Sequence, residues 1–338
     1  MTAENPVPIS PSGPISPISI EQVAELSGRV IQEVEKAVVG KRAVLEQMMA
    51  AFLSPGGHIL LEDYPGLAKT LIANSFAMAL GMQFKRIQFT PDLLPGDITG
   101  GYIFESAQNR FMLRKGPIFT NILLADEINR ASPKTQSALL EAMQEFHVTL
   151  EGETLPLPDP FIVIATQNPI EYEGTFPLPE AQLDRFIVKM SIGYPSPAEE
   201  DEILRRRAER KKDGVSLQAI ISPETFLAMR ATVEGVYVDP DVRRYMVDLA
   251  AKSRSHPQVA VGVSPRGSLA LLKLTRAWAA IQGRAFVIPD DVKRFIQPAL
   301  AHRIILDPSL WGVTKSENKV IAEVTQLVAV PVLKSENE

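Results

Sequence analysis

The sequence predicts an α/β protein in which helices cover both faces of a parallel sheet and a smaller helical domain follows. Three observations support this class. Short apolar runs that do not alternate with polar residues, as in strands buried on both faces, occur at 59–61, 122–125 and 161–165. Helical runs lie between them. After about residue 194 the strand-like runs stop, and proline repeatedly follows a helix-capping residue.

Length and composition restrict the function before any motif is considered. The chain has 338 residues, 45% of them hydrophobic, which is enough for about two domains with real cores. A formal net charge of -5 gives no chain-wide basic field for nucleic acid. Without cysteine, disulfides and thiolate chemistry are excluded, and the four histidines lack metal-ligand spacing. Because no signal peptide or long apolar stretch is present, we expect a cytoplasmic chain without stable membrane insertion.

Three regions differ in composition and pattern. Prolines alternate with serines in the first 17 residues, which predicts a disordered leader over residues 1–19. Alternating helical and strand-like runs predict an αβα domain over residues 20–195. The capping box Ser196-Pro197-Ala198-Glu199 opens the predicted helical domain, residues 196–338.

The first predicted strand leads into a loop suited to phosphate. Pro65-Gly66-Leu67-Ala68 connects the strand to Lys69 and Thr70 at the start of a helix. Backbone N–H groups there would attract phosphate, Lys69 would reach the β- and γ-phosphates, and the Thr70 hydroxyl would bind Mg²⁺. Asp63 and Ala68 replace the two usual glycines. We expect Ala68 to be tolerated at a helix entrance with negative φ, whereas Asp63 would place an anion near phosphate unless it points away; an ordinary Pro-Gly turn is the alternative.

Polar residues also end the second and third predicted strands. Asp126 and Glu127 follow the second strand, where we predict Asp126 to bind magnesium and Glu127 to orient an attacking water. Asn168 follows the third strand, at the edge where ligands of open α/β sheets collect. The alternatives are acids that only terminate a strand and an Asx turn before Pro169.

Two arginines complete the candidate site. Arg185 precedes the strand predicted at 187–190, and a surface ion pair is its ordinary alternative. Arg266 lies in the first turn of the helix that begins at Ser264-Pro265, where the helix dipole opposes a cation. This placement indicates an anionic partner for Arg266, with a nearby carboxylate as the alternative.

In this order, these motifs resemble those of the AAA+ ATPases. The stretches 126–143 and 178–186 are similar to the MoxR family of AAA+ proteins, and so is the loop form Gly66-Leu67-Ala68-Lys69-Thr70. The resemblance covers about residues 25–335 and implies a P-loop αβα domain followed by a helical lid, with ATP and Mg²⁺ bound between them.

The resemblance also implies roles for individual residues. Lys69 and Thr70 match the Walker A motif, and Asp126 and Glu127 match the Walker B motif. The implied catalytic residues are Glu127, Asn168 as sensor 1, Arg266 as sensor 2 that reaches the phosphates across the domain boundary, and Arg185 as an arginine finger for the neighbouring subunit. The implied nucleotide-binding residues are Val39, Gly40, Pro65, Gly66, Leu67, Ala68, Lys69, Thr70, Leu71 and Asp126, of which Thr70 and Asp126 would hold the metal.

The function implied by the resemblance is ATP hydrolysis that remodels, matures or activates client proteins. Such proteins form chaperone-like rings, usually hexamers, often with a partner that carries a von Willebrand A domain. Two stretches resemble family insertions that engage clients: residues 89–104, similar to the insert in helix 2, and a predicted hairpin at 147–158. Simple surface loops are the alternative for both.

Other functions remain open at the level of sequence. The chain could be the ATPase motor subunit of a multi-chain enzyme such as a chelatase, or a nucleotide-binding scaffold with little hydrolysis, as Asp63 and Ala68 would allow. A DNA motor is disfavoured by the net negative charge. The basic run at 205–212 ends a helix that starts with acids, an order that stabilises the helix dipole and does not require nucleic acid.

Overall fold

The computed structural model describes residues 16–106, 108–169, 174–307 and 316–332. Up to residue 195 the elements are α1 (Ile20–Glu35), α2 (Arg42–Leu53), β1 (Ile59–Glu62), α3 (Lys69–Ala79), β2 (Phe84–Gln88), α4 (Pro95–Thr99), β3 (Gly100–Glu105), β4 (Arg110–Lys115), β5 (Ile122–Asp126), α5 (Pro133–Glu145), β6 (His147–Leu150), β7 (Glu153–Pro156), β8 (Ile162–Gln167), α6 (Glu180–Leu183) and β9 (Val188–Met190). The later elements are α7 (Pro197–Arg210), α8 (Pro223–Glu234), α9 (Pro240–Arg254), β10 (Val259–Val261), α10 (Pro265–Ile281), α11 (Pro289–Leu300), β11 (Ile305–Leu306) and α12 (Glu317–Leu327).

The predicted parallel sheet is confirmed and has five strands in the order β2-β5-β8-β1-β9. Leu61 of β1 lies opposite Thr166 of β8, and Ala125 of β5 lies opposite Ala165 of β8. The carboxyl ends of β1, β8 and β5 therefore lie side by side. These three strands are buried almost throughout, which explains why their sequences do not alternate.

Strand β2 is an element that the sequence pattern did not reveal. It lies at the edge of the sheet, and only Ile87 among its five residues is buried. Its neighbours Lys85, Arg86 and Gln88 are exposed. Because an edge strand needs few apolar residues, its composition does not distinguish it from a loop.

The helical lid is confirmed, with one addition. Helices α7 to α11 each begin with a proline at the first helical position. In four of them a Ser or Asp side chain accepts a hydrogen bond from the first turn: Ser196, Ser222, Asp239 and Ser264. The addition is a short antiparallel pair, β10 with β11, which the sequence did not predict.

The lid and the sheet domain share one hydrophobic core. Helices α1 and α2 pack against α10, and α11 packs against β9. The buried side chains of this core come from both regions, among them Val30, Phe52, Leu271 and Phe295. The change from α/β to helical structure near residue 195 therefore marks a change of topology within a continuous core.

The leader predicted over residues 1–19 lies outside the described residues except for 16–19. Ile18 packs against the core, and its carbonyl oxygen accepts a hydrogen bond from Thr232 Oγ1 at 2.7 Å. Ser19 forms a capping box with Gln22 at the start of α1. Chain packing thus begins before Ile20. None of the helices in the described part of the chain is long and apolar enough to cross a membrane.

Both predicted insertions are hairpins. The turn at Glu151-Gly152 joins β6 and β7 as expected. The segment expected to be an insert over 89–104 continues further, as α4 and the β3–β4 hairpin. The side chains of Phe104 and Phe111 face each other across that hairpin with ring centroids 5.3 Å apart. The hydroxyl of Tyr102 donates to Glu153, which ties the two hairpins together.

The basic run in α7 has the structural role expected of it. Acids occupy the first turn of α7 and arginines the last. Arg205 bonds to Glu202 and Glu209 on the same helix at 2.5–2.7 Å. These pairs satisfy the charges locally.

A buried histidine anchors the start of β1. His58 Nε2 donates to the carbonyl of Met143 at 2.9 Å, and Nδ1 accepts from the Val163 N–H at 3.0 Å. The bond that Nδ1 accepts requires the neutral ring, because both ring nitrogens of a protonated histidine are donors. Burial is the main reason that the pKa of His58 falls to about 4.

We expect this histidine to make stability fall in mild acid. The pKa of an unfolded histidine is about 6.5, so the stabilisation from neutral His58 is complete above that pH and is lost as the pH falls towards the folded value. Between pH 7.5 and pH 5 this loss is about 2 kcal/mol. Urea unfolding at both pH values should show a smaller loss for His58→Gln than for the wild type. Equal losses would show that His58 is not the cause.

Candidate functional site

A cavity of about 390 Å³ opens at the carboxyl ends of β1, β5 and β8. Its lining contains most of the predicted nucleotide site together with residues that were not predicted. The lining residues are Pro65, Gly66, Leu67, Ala68, Lys69, Thr70, Leu71, Arg86, Gln88, Asp126, Glu127, Thr166, Gln167 and Asn168.

The loop before α3 has the backbone of an anion-binding turn. Gly66 has φ +84° and Ala68 has φ +56°, so both are left-handed. The expected negative φ at Ala68 is therefore wrong: the chain reverses at this residue, and Ala68 is the N-cap of α3. Its methyl side chain cannot accept a bond from the first turn, which leaves those N–H groups available to an anion such as phosphate.

Asp63 points away from the cavity. Its carboxylate accepts hydrogen bonds from Ser191 Oγ at 2.9 Å and from the backbone N–H groups of Ile192 and Gly193. The side chain is buried and is absent from the cavity lining. Asp63 thus fixes the segment that leads from β9 into the lid, and its charge is compensated there.

Lys69 lies where the loop and α3 meet. Its ammonium donates to the carbonyl oxygens of Asp63 at 2.6 Å and Tyr64 at 3.2 Å. Burial lowers the pKa of Lys69, and the carboxylates of Asp63, Asp126 and Glu127 oppose this lowering. The ammonium therefore has only backbone acceptors in the loop, and these are weaker partners than a phosphate.

The two carboxylates are separated because only one belongs to the strand. Asp126 ends β5 and is buried, with Oδ1 accepting from Thr166 Oγ1 at 2.5 Å. Glu127 has left the strand, with φ +55°. Its Oε2 accepts from Gln88 Nε2 at 2.6 Å and from Arg130 Nη1 at 2.8 Å. The left-handed residue lets adjacent acids take different partners in one cavity.

Four residues that line this cavity were not predicted from the sequence: Arg86, Gln88, Thr166 and Gln167. Arg86 and Gln88 come from β2, and Thr166 is the residue of β8 that contacts both Asp126 and the Glu127 N–H. Polar residues two apart before Phe89 could have indicated one face of an edge strand. No feature of the sequence indicates a role for Thr166 in the site, except that it precedes Gln167 at the end of the strand.

The donors in the cavity suit magnesium. The Thr70 hydroxyl and the Asp126 carboxylate line the same space, and both are oxygen ligands. Mg²⁺ prefers oxygen and usually uses one or two carboxylates together with phosphate. The residues present therefore fit the metal that the sequence predicted.

Val39 and Gly40 are not among the residues that line this cavity. Gly40 has φ +66°, and a Cβ there would collide with the Glu199 carboxylate at the start of α7. The ammonium of the next residue, Lys41, donates to the Tyr194 carbonyl at 2.6 Å. The structure thus places this segment at the junction of the sheet domain with the lid.

Arg185 and Arg266 lie together in a second cavity of about 220 Å³. Neither is among the residues that line the phosphate cavity, so this arrangement does not place Arg266 beside the phosphate loop of its own chain. The guanidinium groups of both arginines form no ion pair or hydrogen bond within the part of the chain that the structure describes.

Asp184 explains why these two arginines meet. Its Oδ1 accepts from Arg303 Nε at 2.7 Å, and its Oδ2 accepts from Ser264 Oγ at 3.2 Å. Ser264 also caps the helix that carries Arg266. Because Asp184 precedes Arg185, this network joins the Arg185 segment to the first turn of α10.

Two family models match different parts of this chain. The model of the ATPase family associated with various cellular activities (AAA) matches residues 58–188. The model of the AAA lid domain matches residues 251–324. The first match contains the phosphate loop, both acids and Asn168, and the second contains Arg266.

Relatives extend the similarity to nearly the whole chain. The protein YeaC of Bacillus subtilis is 46% identical, covering 93% of this chain and 98% of its own length. The protein Chaperone MoxR1 of Mycobacterium tuberculosis is 44% identical, covering 90% of this chain and 82% of its own. A crystal structure from Cytophaga hutchinsonii superposes with a TM-score of 0.86 at 38% identity, covering 93% and 97%. The chain therefore belongs to the MoxR family of AAA+ ATPases.

Proposed function

We propose that this protein hydrolyses ATP in the cytoplasm, as a ring of identical subunits, to remodel, mature or activate client proteins. The observation that carries the ATPase proposal is the convergence of Lys69, Thr70, Asp126, Glu127 and Asn168 on one cavity at the carboxyl edge of the sheet. A chaperone-like role is supported by the name of the Mycobacterium tuberculosis relative.

Each side chain of the cavity has a separate role in hydrolysis. Lys69 exchanges its carbonyl partners for the β- and γ-phosphates, and Thr70 and Asp126 would hold Mg²⁺. Magnesium bound there would neutralise phosphate charge. Glu127 and Asn168 orient a water molecule for in-line attack on the γ-phosphorus, and the bond to the β,γ-bridging oxygen breaks as ADP leaves.

Neighbouring side chains hold one oxygen of the Glu127 carboxylate and fix its orientation. Its Oε2 is occupied by Gln88 and Arg130 in the structure. A carboxylate that accepts two such bonds is a weaker acceptor for water. We infer that the described arrangement is a resting state of the site.

Arg185 and Arg266 act on the nucleotide of a neighbouring subunit. They lie side by side in a cavity separate from the phosphate loop, and their guanidinium groups are not used within the described part of the chain. Two free cations on one face suit an anion brought by another molecule. We propose a hexamer, in which each phosphate cavity is completed by the next subunit, and a partner with a von Willebrand A domain.

The β3–β4 hairpin is the surface that we propose for clients. Phe104 and Phe111 are 53% and 68% exposed, although they form a cross-strand pair. Exposed aromatic pairs are a common feature of polypeptide-binding surfaces. The bond between Tyr102 and Glu153 would transmit hairpin movement to the neighbouring β6–β7 hairpin.

The structure weakens the case for a scaffold with little hydrolysis. That alternative was motivated by Asp63 and Ala68. Asp63 is directed at residues 191–193, and Ala68 adopts the left-handed conformation that glycine usually supplies.

We expect Glu127→Gln to lower steady phosphate release by about 100-fold or more, because the amide orients water poorly and cannot accept its proton. Binding of a fluorescent ATP analogue should remain. The matched control is Glu141→Gln, an exposed acid on α5 outside the cavity, which should keep wild-type release. Equal release by wild type and Glu127→Gln would contradict the mechanism.

Mixing experiments should show whether each arginine acts on the nucleotide of its own subunit or on that of a neighbouring subunit. Arg185→Ala and Arg266→Ala should each be nearly inactive alone, as should Glu127→Gln. In a mixed ring, a Glu127→Gln subunit can supply its intact arginine to a neighbouring subunit that still has Glu127. Activity should therefore recover when Glu127→Gln is mixed with either arginine variant. If Arg266 acted on its own chain, its mixture would stay inactive.

A further inference from the structure

Arg86 is a cation inside the phosphate cavity that no predicted role uses. It projects from the edge strand β2, and 47% of its side chain is exposed. Its Nε and Nη2 atoms both donate to Oδ2 of Asp126, at 3.1 Å and 2.6 Å. Arg86 is thus the direct partner of the carboxylate proposed to hold magnesium.

The remaining oxygen of Asp126 is also occupied. Oδ1 accepts from the Thr166 hydroxyl at 2.5 Å. Thr166 is buried, and its hydroxyl oxygen also accepts the Glu127 backbone N–H at 2.9 Å. Oδ2 instead bonds the partly exposed Arg86 guanidinium, a partner that can leave for another anion without opening the core.

A metal ion and a guanidinium compete for such an oxygen. Both are cations, so they repel each other at one carboxylate oxygen, and two N–H donors already use its lone pairs. Arg86 must move before Asp126 can coordinate magnesium through Oδ2. The phosphates of ATP are the nearest new anions, because Arg86 lines the same cavity as the phosphate loop.

Movement of Arg86 would also change the hydrogen bonding of Glu127. Its Nη2 donates to Gln88 Oε1 at 2.9 Å, and Gln88 Nε2 donates to Glu127 Oε2 at 2.6 Å. The guanidinium therefore fixes the orientation of the amide that holds Glu127. When Arg86 leaves, Gln88 loses this support, and Glu127 becomes free to turn towards water.

We propose that Arg86 is an exchangeable counter-ion of the nucleotide site: it holds Asp126 when magnesium is absent and passes to the terminal phosphate of ATP when magnesium binds. The proposal rests on the proposed ATPase function. It assigns a further catalytic residue, supplied in cis, and links metal occupancy at Asp126 to the release of Glu127 through Gln88.

The direct test measures magnesium binding apart from turnover. Fluorescent N-methylanthraniloyl-ADP is bound to the protein, and Mg²⁺ is titrated against wild type, Arg86→Gln and Arg86→Lys. Removing the competing cation should lower the Mg²⁺ concentration at half-maximal signal by about threefold in Arg86→Gln, as expected for a partly exposed ion pair. Arg86→Lys, which keeps the charge, should give an intermediate value. With saturating Mg²⁺ and ATP, kcat of Arg86→Gln should fall about tenfold or more.

Arg205→Gln is the matched control, since Arg205 is an exposed arginine with bidentate carboxylate bonding on α7. It should leave the Mg²⁺ midpoint and kcat unchanged. The exchange proposal is overturned if the Mg²⁺ midpoint of Arg86→Gln is unchanged or raised, whatever happens to kcat. It is also overturned if kcat of this variant is unchanged. If wild type neither binds nucleotide with Mg²⁺ nor releases phosphate, the proposed function itself fails.

Discussion

The parallel register of β1, β8 and β5 is the constraint on which the site depends. It brings three strand ends to one edge of the sheet, so that a loop, two acids and an amide from distant parts of the sequence line one cavity. A shift of register would move the polar residues at the strand ends, such as Asp126 and Gln167, into the buried part of the sheet, which is costly. Ala68 and Glu127 then turn the chain, because both have a left-handed backbone conformation. If the strands continued without these turns, the functional groups would lie elsewhere.

A second constraint separates the parts of the site. The lid shares a core with α1 and α2, and Arg303 bonds to Asp184 and to the carbonyls of Phe186 and Ile187. These contacts hold Arg185 and Arg266 together, outside the phosphate cavity. Under the proposed function, two subunits together supply the complete set of cations, which would make hydrolysis sensitive to assembly. Such a site would respond to a client through the contact between neighbours.

The fold class and most of the phosphate cavity could be predicted from the sequence, because local sequence patterns indicate them strongly. Buried central strands, cap-proline helix starts and the Lys69-Thr70 and Asp126-Glu127 pairs each have a direct physical reason. The contribution of Arg86 could not be predicted, since an edge strand such as β2 has little apolar signal and its side-chain contacts depend on pairing with β5. The φ of Ala68 was mispredicted because the reversal of the chain lies in the N-cap residue itself. The position of Arg266 depends on lid packing, which local sequence does not encode.

The most direct test of a shared site is the molar mass of the Glu127→Gln protein, which should bind ATP without consuming it. Light scattering with ATP, with ADP and without nucleotide would report assembly apart from catalysis. Because Arg185 and Arg266 would bind the phosphates of a neighbour, we predict a ring-sized species with ATP that is absent or much reduced without nucleotide. A monomer under all three conditions, with ATP shown to be bound, would contradict the account.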